Sequence, residues 1–215
     1  MEMIKKMSVW AIVATAVFVG SAWAQDAAGI VSDKDAVKNA LKMGAEMPPF
    51  SLMDSAGKTV ASRDLLKEAN LVLVFYRGSW CPFCNLYLRS LQKRLGDITA
   101  AGGRLVAVSV ENPDASMAVV KKNEVQFTVL SDPNLELARK FGIVYQLPDA
   151  TAERYRSGGL DLAKRNAMPK PELPLAATYI VNKNGKIVYA FVETDYKKRA
   201  EPDVIIDNLK RITIK

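Results

Sequence analysis

Leu71-Val72-Leu73-Val74-Phe75-Tyr76-Arg77-Gly78-Ser79-Trp80-Cys81-Pro82-Phe83-Cys84-Asn85 is the stretch around which the rest of the chain is read. Its first six residues are uncharged and aliphatic or aromatic, as a strand buried on both faces of an α/β sheet requires. Gly78 and Ser79 let the chain turn. Pro82 suits the first position of a helix, where its missing N–H costs nothing, and Leu86, Leu88, Leu91 and Leu95 continue at roughly helical spacing. Cys81 therefore falls at a helix N-terminus.

That position carries chemistry. The thiolate is the nucleophilic form of cysteine, and the positive end of a helix with its unpaired N–H groups favours it. Arg77, four residues upstream, adds a fixed positive charge. Cys84 lies one turn further in, where it can close a short disulfide once Cys81 has been oxidised or has attacked another sulfur. The expected pair is a nucleophile, ionised and reachable at the surface, with a resolver behind it. A structural zinc site needs four ligands, whereas the chain has two cysteines and no histidine. Covalent haem would need histidine at position 85, which is Asn85. No metal and no cofactor is expected. A purely structural bridge over so few residues restricts little unfolded-state entropy, which favours redox use. Peroxide reduction, disulfide exchange on other proteins and a redox-inert binding domain all remain open at this stage.

Ahead of this stretch, Lys5 and Lys6 precede an apolar run over 9–19 and then Ser21-Ala22-Trp23-Ala24. The pattern reads as a secretory signal peptide over 1–24, cleaved before Gln25; a spanning helix would want about 20 apolar residues. The expectation is export to a bacterial periplasm, where disulfides persist, with no stable membrane association after cleavage. The chain holds 30 Lys and Arg against 23 Asp and Glu, net +7, but the charges are interspersed along an exported chain. A solvated surface is the reading, with no nucleic-acid partner.

Residues 25–43 read as a partly helical extension, with Ser32 as N-cap and Ala36, Val37, Ala40 and Leu41 on one face. From 44 to 215 one domain is expected. A strand, turn and strand over 46–60 lead to a short helix capped by Ser62. After the cysteine helix, Gly102-Gly103 stops it, 105–110 forms a second buried strand, and Asn112-Pro113-Asp114 opens another helix. A short strand over 127–130 and a helix over 135–141 follow. Such strand–helix alternation, with a nucleophile after a central strand, is the pattern of an open α/β sheet. The span 144–173 breaks it, being polar with Gly158-Gly159, Pro148, Pro169 and Pro171. It reads as a long loop bordering the site. Asn182-Lys183-Asn184-Gly185 then turns a β-hairpin, and Glu201-Pro202 opens a last helix with Val204, Ile205, Leu209 and Ile212 on its apolar side.

Trp80-Cys81-Pro82-Phe83-Cys84 after a strand, followed later by a hairpin and a terminal helix, resembles the thioredoxin superfamily. More narrowly, the stretch 75–85, Leu173-Pro174-Leu175-Ala176-Ala177-Thr178-Tyr179 and Asp195-Tyr196-Lys197-Lys198-Arg199-Ala200-Glu201-Pro202 resemble peroxiredoxin-like proteins of the alkyl hydroperoxide reductase and thiol-specific antioxidant family. The resemblance implies a thioredoxin-like fold, a central mixed β-sheet flanked by helices, with an N-terminal extension and a long insertion before the hairpin. It implies a thiol peroxidase in which Cys81 attacks a hydroperoxide, Cys84 resolves, and a thioredoxin-like external dithiol restores the pair. The runner-up is a periplasmic thiol-disulfide oxidoreductase using the same cysteines. Gly78 and Val74 stand where the family's loop carries threonine and proline, which leaves Ser79, Arg77 and Arg199 as candidate thiolate stabilisers. Trp80, Pro82 and Phe83 are expected to wall the site. Ala176 takes the place of the superfamily's cis-proline.

Overall fold

The computed structural model describes residues 31–213; the signal-peptide reading lies outside them. A seven-stranded sheet runs β2-β1-β5-β4-β3-β8-β9 across the molecule. Its strands are β1 (Ser51–Asp54), β2 (Thr59–Ala61), β3 (Asn70–Phe75), β4 (Gly103–Ser109), β5 (Thr128–Ser131), β8 (Ala176–Val181) and β9 (Ile187–Glu193). β3 is parallel to β4, and β4 to β5, whereas β8 lies antiparallel to β3 with Val74 opposite Thr178. The sheet is mixed, as expected.

β3 is buried along its whole length because both its faces are covered. Leu71, Leu73 and Phe75 enter one core with Phe141, Ile143 and Tyr179. Val72, Val74 and Tyr76 enter the other, with Cys81, Cys84, Leu88, Leu91, Ile205 and Leu209. The second core is roofed by α3 (Pro82–Lys93) and α9 (Pro202–Thr213). On α9 the inward residues are Ile205, Ile206 and Leu209, while Val204, expected on the apolar side, is 41% exposed. The Asn182–Gly185 turn forms as expected, with Gly185 at φ 83° donating its N–H to Asn182 O at 2.9 Å.

α1 (Asp33–Asn39) is the helical part of the expected 25–43 extension that lies among the described residues, and its cap is Ser32, whose Oγ accepts from the Asp35 N–H at 3.2 Å. Ala36 and Ala40 are buried against the body. Ser62 is not a cap: Ala61 precedes α2 (Ser62–Glu68), and Ser62 Oγ accepts from the Phe50 N–H at 3.1 Å instead. α4 (Leu95–Ala100), α5 (Pro113–Asn123) and α6 (Glu136–Lys140) complete the alternation.

The main departure is the polar span after α6. It is an ordered arm, in which β6 (Val144–Gln146) and β7 (Glu172–Pro174) pair antiparallel at its base and α7 (Asp149–Ser157) and α8 (Leu162–Arg165) lie between them. Sequence reading missed it because α7 buries no residue, so the apolar periodicity that signals a helix is absent. Glycine and proline punctuate its ends: Pro148 sits before α7 and Gly158 after it.

Candidate active site

The end of β3 delivers the chain to Arg77 and Gly78. Gly78 sits at φ 143°, and a side chain there would meet the Trp80 indole nitrogen at 2.5 Å and the Glu111 carboxyl carbon at 3.1 Å. Glycine is therefore required at this turn on grounds of both conformation and space. Cys81 is the N-cap of α3, with Pro82 in its first turn. Cys81 Sγ accepts from the Cys84 N–H at 3.4 Å and from the Cys84 thiol at 2.6 Å. Asn85 braces the same turn by donating to Ser79 O at 2.8 Å and Cys81 O at 3.1 Å, and its own oxygen accepts from Asn123 at 2.8 Å.

The two sulfurs are driven apart electrostatically. Cys81 is pulled down to about 6, chiefly by the hydrogen bond from the Cys84 thiol, then by the Cys84 N–H and the charges of Arg77 and Arg199, against an opposing push from burial. Burial raises Cys84 well above the ordinary thiol range, and the bond to Cys81 and its charge add to that. Cys81 is thus mostly thiolate at neutral pH while Cys84 remains a protonated donor.

Two arginines bracket the pair. Arg199 Nη2 donates to Cys84 Sγ at 3.3 Å, and its guanidinium lies 5.6 Å from the Tyr87 ring centre. Tyr87 is held in turn by donating to Ala200 O at 2.8 Å, and burial pushes its phenol up to about 12. Arg77 is 3% exposed and caged by aromatic rings, its guanidinium 4.1 Å from Tyr196, 4.8 Å from Trp80 and 5.9 Å from Tyr155. Its Nη2 donates to Tyr155 Oη at 3.0 Å. Burial opposes the Arg77 charge, but Tyr145, Tyr155 and the Cys81 sulfur outweigh it. Among the described residues Arg77 makes no ion pair with a carboxylate, so the Cys81 thiolate is its natural counter-charge.

Ser79 is placed differently from the expectation. Its N–H and hydroxyl both go to Glu111, at 2.5 and 2.8 Å, and Arg165 of α8 donates to the same hydroxyl at 2.8 Å. Arg165 Nε also pairs with Glu111 at 2.9 Å, and Glu111 is 2% exposed. The hydroxyl therefore fixes the loop and does not reach the sulfur. Trp80 packs edge-on against Tyr155 at 5.8 Å, and Phe83, 38% exposed, packs edge-on against Tyr196 at 5.8 Å.

One expectation needs correction. Cys81 is 1% exposed in the reduced protein, not open at the surface. The reason is tertiary: Cys81 packs into the second core with Cys84, Tyr87 and Leu88, and the residues leading into it are held by the arm, through Tyr155 on Arg77 and Trp80 and through Arg165 on Ser79. Glu111, Tyr155, Arg165 and Tyr87 were not singled out from sequence. Only Glu111 offered a signal, an acidic residue just past a buried parallel strand, where α/β proteins place their sites.

A Cys-x-x-Cys pair on the helix that follows the central strand of a mixed, helix-flanked sheet defines a thiol redox protein of the thioredoxin superfamily. A family model described as the AhpC/TSA family matches residues 43–190. The chain belongs to this family, whose relatives here are peroxiredoxins. Peroxiredoxin Bcp of Escherichia coli (strain K12) is 25% identical over 172 residues, covering 80% of this chain and 97% of the relative. Chloroplastic peroxiredoxin Q of Sedum lineare is 24% identical over 179 residues, covering 83% and 81%. Among solved structures, peroxidoxin BcpB from Mycobacterium tuberculosis superposes with a TM-score of 0.64 at 18% identity, covering 80% of this chain and 98% of that one. The bacterioferritin comigratory protein of Xanthomonas campestris, solved in work on its alkyl peroxide reduction activity, superposes with a TM-score of 0.59 at 18% identity, covering 76% and 91%.

Proposed function

We propose that the protein is a thiol peroxidase whose nucleophile is Cys81. The Cys81 thiolate attacks the terminal oxygen of a hydroperoxide; the O–O bond breaks, an alkoxide or hydroxide leaves and takes up a proton, and Cys81 becomes a sulfenic acid. The Cys84 sulfur then attacks the sulfenic sulfur, water leaves, and a disulfide forms. An external dithiol of the thioredoxin type reduces it, becoming a disulfide in turn. Arg77 and Arg199 stabilise the attacking thiolate, and each keeps a buried Nε–H that has no partner among the described residues. With no histidine in the chain, the leaving oxygen's proton comes from water or another acid.

The observation that carries this reading is the pair's geometry: at the start of α3 Cys81 Sγ accepts from the Cys84 N–H and thiol while Arg199 donates to Cys84, an arrangement that lowers the Cys81 pKa and leaves Cys84 a protonated donor one turn behind it. A sealed reduced site also fits a small peroxide better than a docked polypeptide disulfide, so the oxidoreductase reading is the weaker one. Stopped-flow mixing of the reduced protein with hydrogen peroxide is the test. Cys81 should oxidise far faster than free cysteine at equal thiolate concentration. Because its pKa is depressed, the rate should be flat above about pH 7, half-maximal near 6 and fall tenfold per unit below that. Oxidation no faster than free cysteine overturns the proposal. Export, proposed from residues 1–24, is tested separately by the mass and cell fraction of the mature protein.

A further inference from the structure

A reactive sulfur that is 1% exposed needs a way in. A cavity of about 360 Å³ lies between α7 and the segment 194–197 that follows β9, and its wall includes Arg77, Tyr145, Thr151, Arg154, Tyr155 and Tyr196. Arg77 is almost wholly buried yet lines this cavity, so the space reaches inward to the guanidinium whose charge acts on Cys81. Its wall is polar and of mixed charge, with three tyrosines, two threonines, two guanidiniums, a lysine and two carboxylates. It is shaped for a small hydrophilic molecule rather than a greasy one.

The inner end is shut by a contact that can open. Tyr155 accepts from Arg77 and packs on Trp80, and both contacts come from α7, which has no fully buried residue and rests on the core only through half-buried Ala152 and Tyr155. Elements with so little buried apolar area open at low free-energy cost. α8 is anchored beside it through Arg165, which bridges Glu111 and Ser79. We infer that the cavity beneath α7 is the entrance to Cys81, that the Tyr155 ring packed against Trp80 and Arg77 is its inner door, and that its bulk thereby selects small hydrophilic hydroperoxides over bulky ones. The inference rests on Cys81 being the reactive thiol and extends the proposed function to substrate size.

Alkylation of Cys81 tests the entrance without any peroxide chemistry, using iodoacetamide as the small probe and N-(1-pyrenyl)maleimide as the bulky one. Rates are corrected for thiolate fraction from the absorbance at 240 nm, and folding is checked by circular dichroism. Tyr155→Ala should raise the bulky-probe rate by roughly tenfold or more and the small-probe rate by only about two- to threefold. Tyr155→Phe, which keeps the ring and removes the hydroxyl, should shift both rates by about twofold or less. Thr151→Trp, which fills the cavity at a residue that makes none of the sulfurs' hydrogen bonds, should slow both probes by roughly fivefold or more. Leu86→Trp, on the exposed face of α3 beside Phe83, should change neither. Equal acceleration of both probes in Tyr155→Ala, unchanged rates in Thr151→Trp, or slowing by Leu86→Trp each overturn the entrance. If alkylation follows the pattern while peroxide leaves Cys81 untouched, the peroxidase reading falls and the entrance stands.

Discussion

α3 and α7 meet across the loop that carries Cys81, and they are held in opposite ways. α3 buries Cys84, Asn85, Tyr87, Leu88 and Leu91 and spans the cysteine-bearing core, while α7 has no fully buried residue, packs on the other core only through half-buried Ala152 and Tyr155, and touches the site through that one tyrosine. Cys81, the proposed nucleophile, therefore starts a rigid element, and the loop leading into it is held by a marginal one. Rigid placement preserves the hydrogen bonds that hold a thiolate, and marginal cover lets a reagent in without dismantling them.

The sharpest way to break this contrast is at the sulfur itself. Cys81→Ser should abolish peroxide turnover, by about a thousandfold or more in the stopped-flow rate, because no other described thiol is ionised at neutral pH. Retained turnover would place the chemistry elsewhere. Next is the packing of α3: Leu88 is fully buried, and Leu88→Ala should cost about 3 kcal/mol in urea unfolding. A loss below about 1 kcal/mol would mean α3 is not the rigid partner. Third comes the donor beneath the thiolate. Cys84→Ala removes the largest cause of the low Cys81 pKa, so the first oxidation step at pH 7 should slow by about tenfold and recover toward pH 9. A slowdown that persists at pH 9 would argue for a lost position rather than a lost proton shift. Smallest is the arm: exposed Arg154→Ala should change global stability by less than about 0.5 kcal/mol. Hydrogen exchange completes the comparison, with α7 amides exchanging well before those of α3.

The third prediction changes what the sequence suggested about Cys84. Spacing marks it as a resolver that acts after oxidation, one turn behind the nucleophile. In three dimensions its thiol also donates to Cys81 in the reduced protein, at 2.6 Å, so under the proposed mechanism it would prepare the first step as well as complete the second. Ser79 went the other way. As the hydroxyl nearest in sequence it was a reasonable thiolate partner, but its donor is taken by Glu111, 32 residues later. Arg199 shows a long-range gain: nothing local places it near a sulfur 115 positions away, yet the turn after β9 brings its guanidinium to Cys84.

The fold was legible wherever burial writes itself as a pattern. β3 and β4 read as uninterrupted apolar runs because both their faces are covered. The hairpin read from Asn-Gly, because that turn needs a residue at positive φ. The arm was not legible, since a helix lying on the surface with no apolar stripe leaves no period to detect.

By itself the sequence determined the sheet's core strands, the helix start at Cys81 and the placing of a second sulfur one turn behind the first, all of which follow from local spacing and conformational preference. Only the tertiary structure decided that Cys81 is buried, that Glu111 and Arg165 fix the loop before it, and that Arg77 and Arg199 flank the pair. These depend on side chains tens of residues apart meeting in a low-dielectric interior, where charge and burial act over distances in space that no sequence separation records.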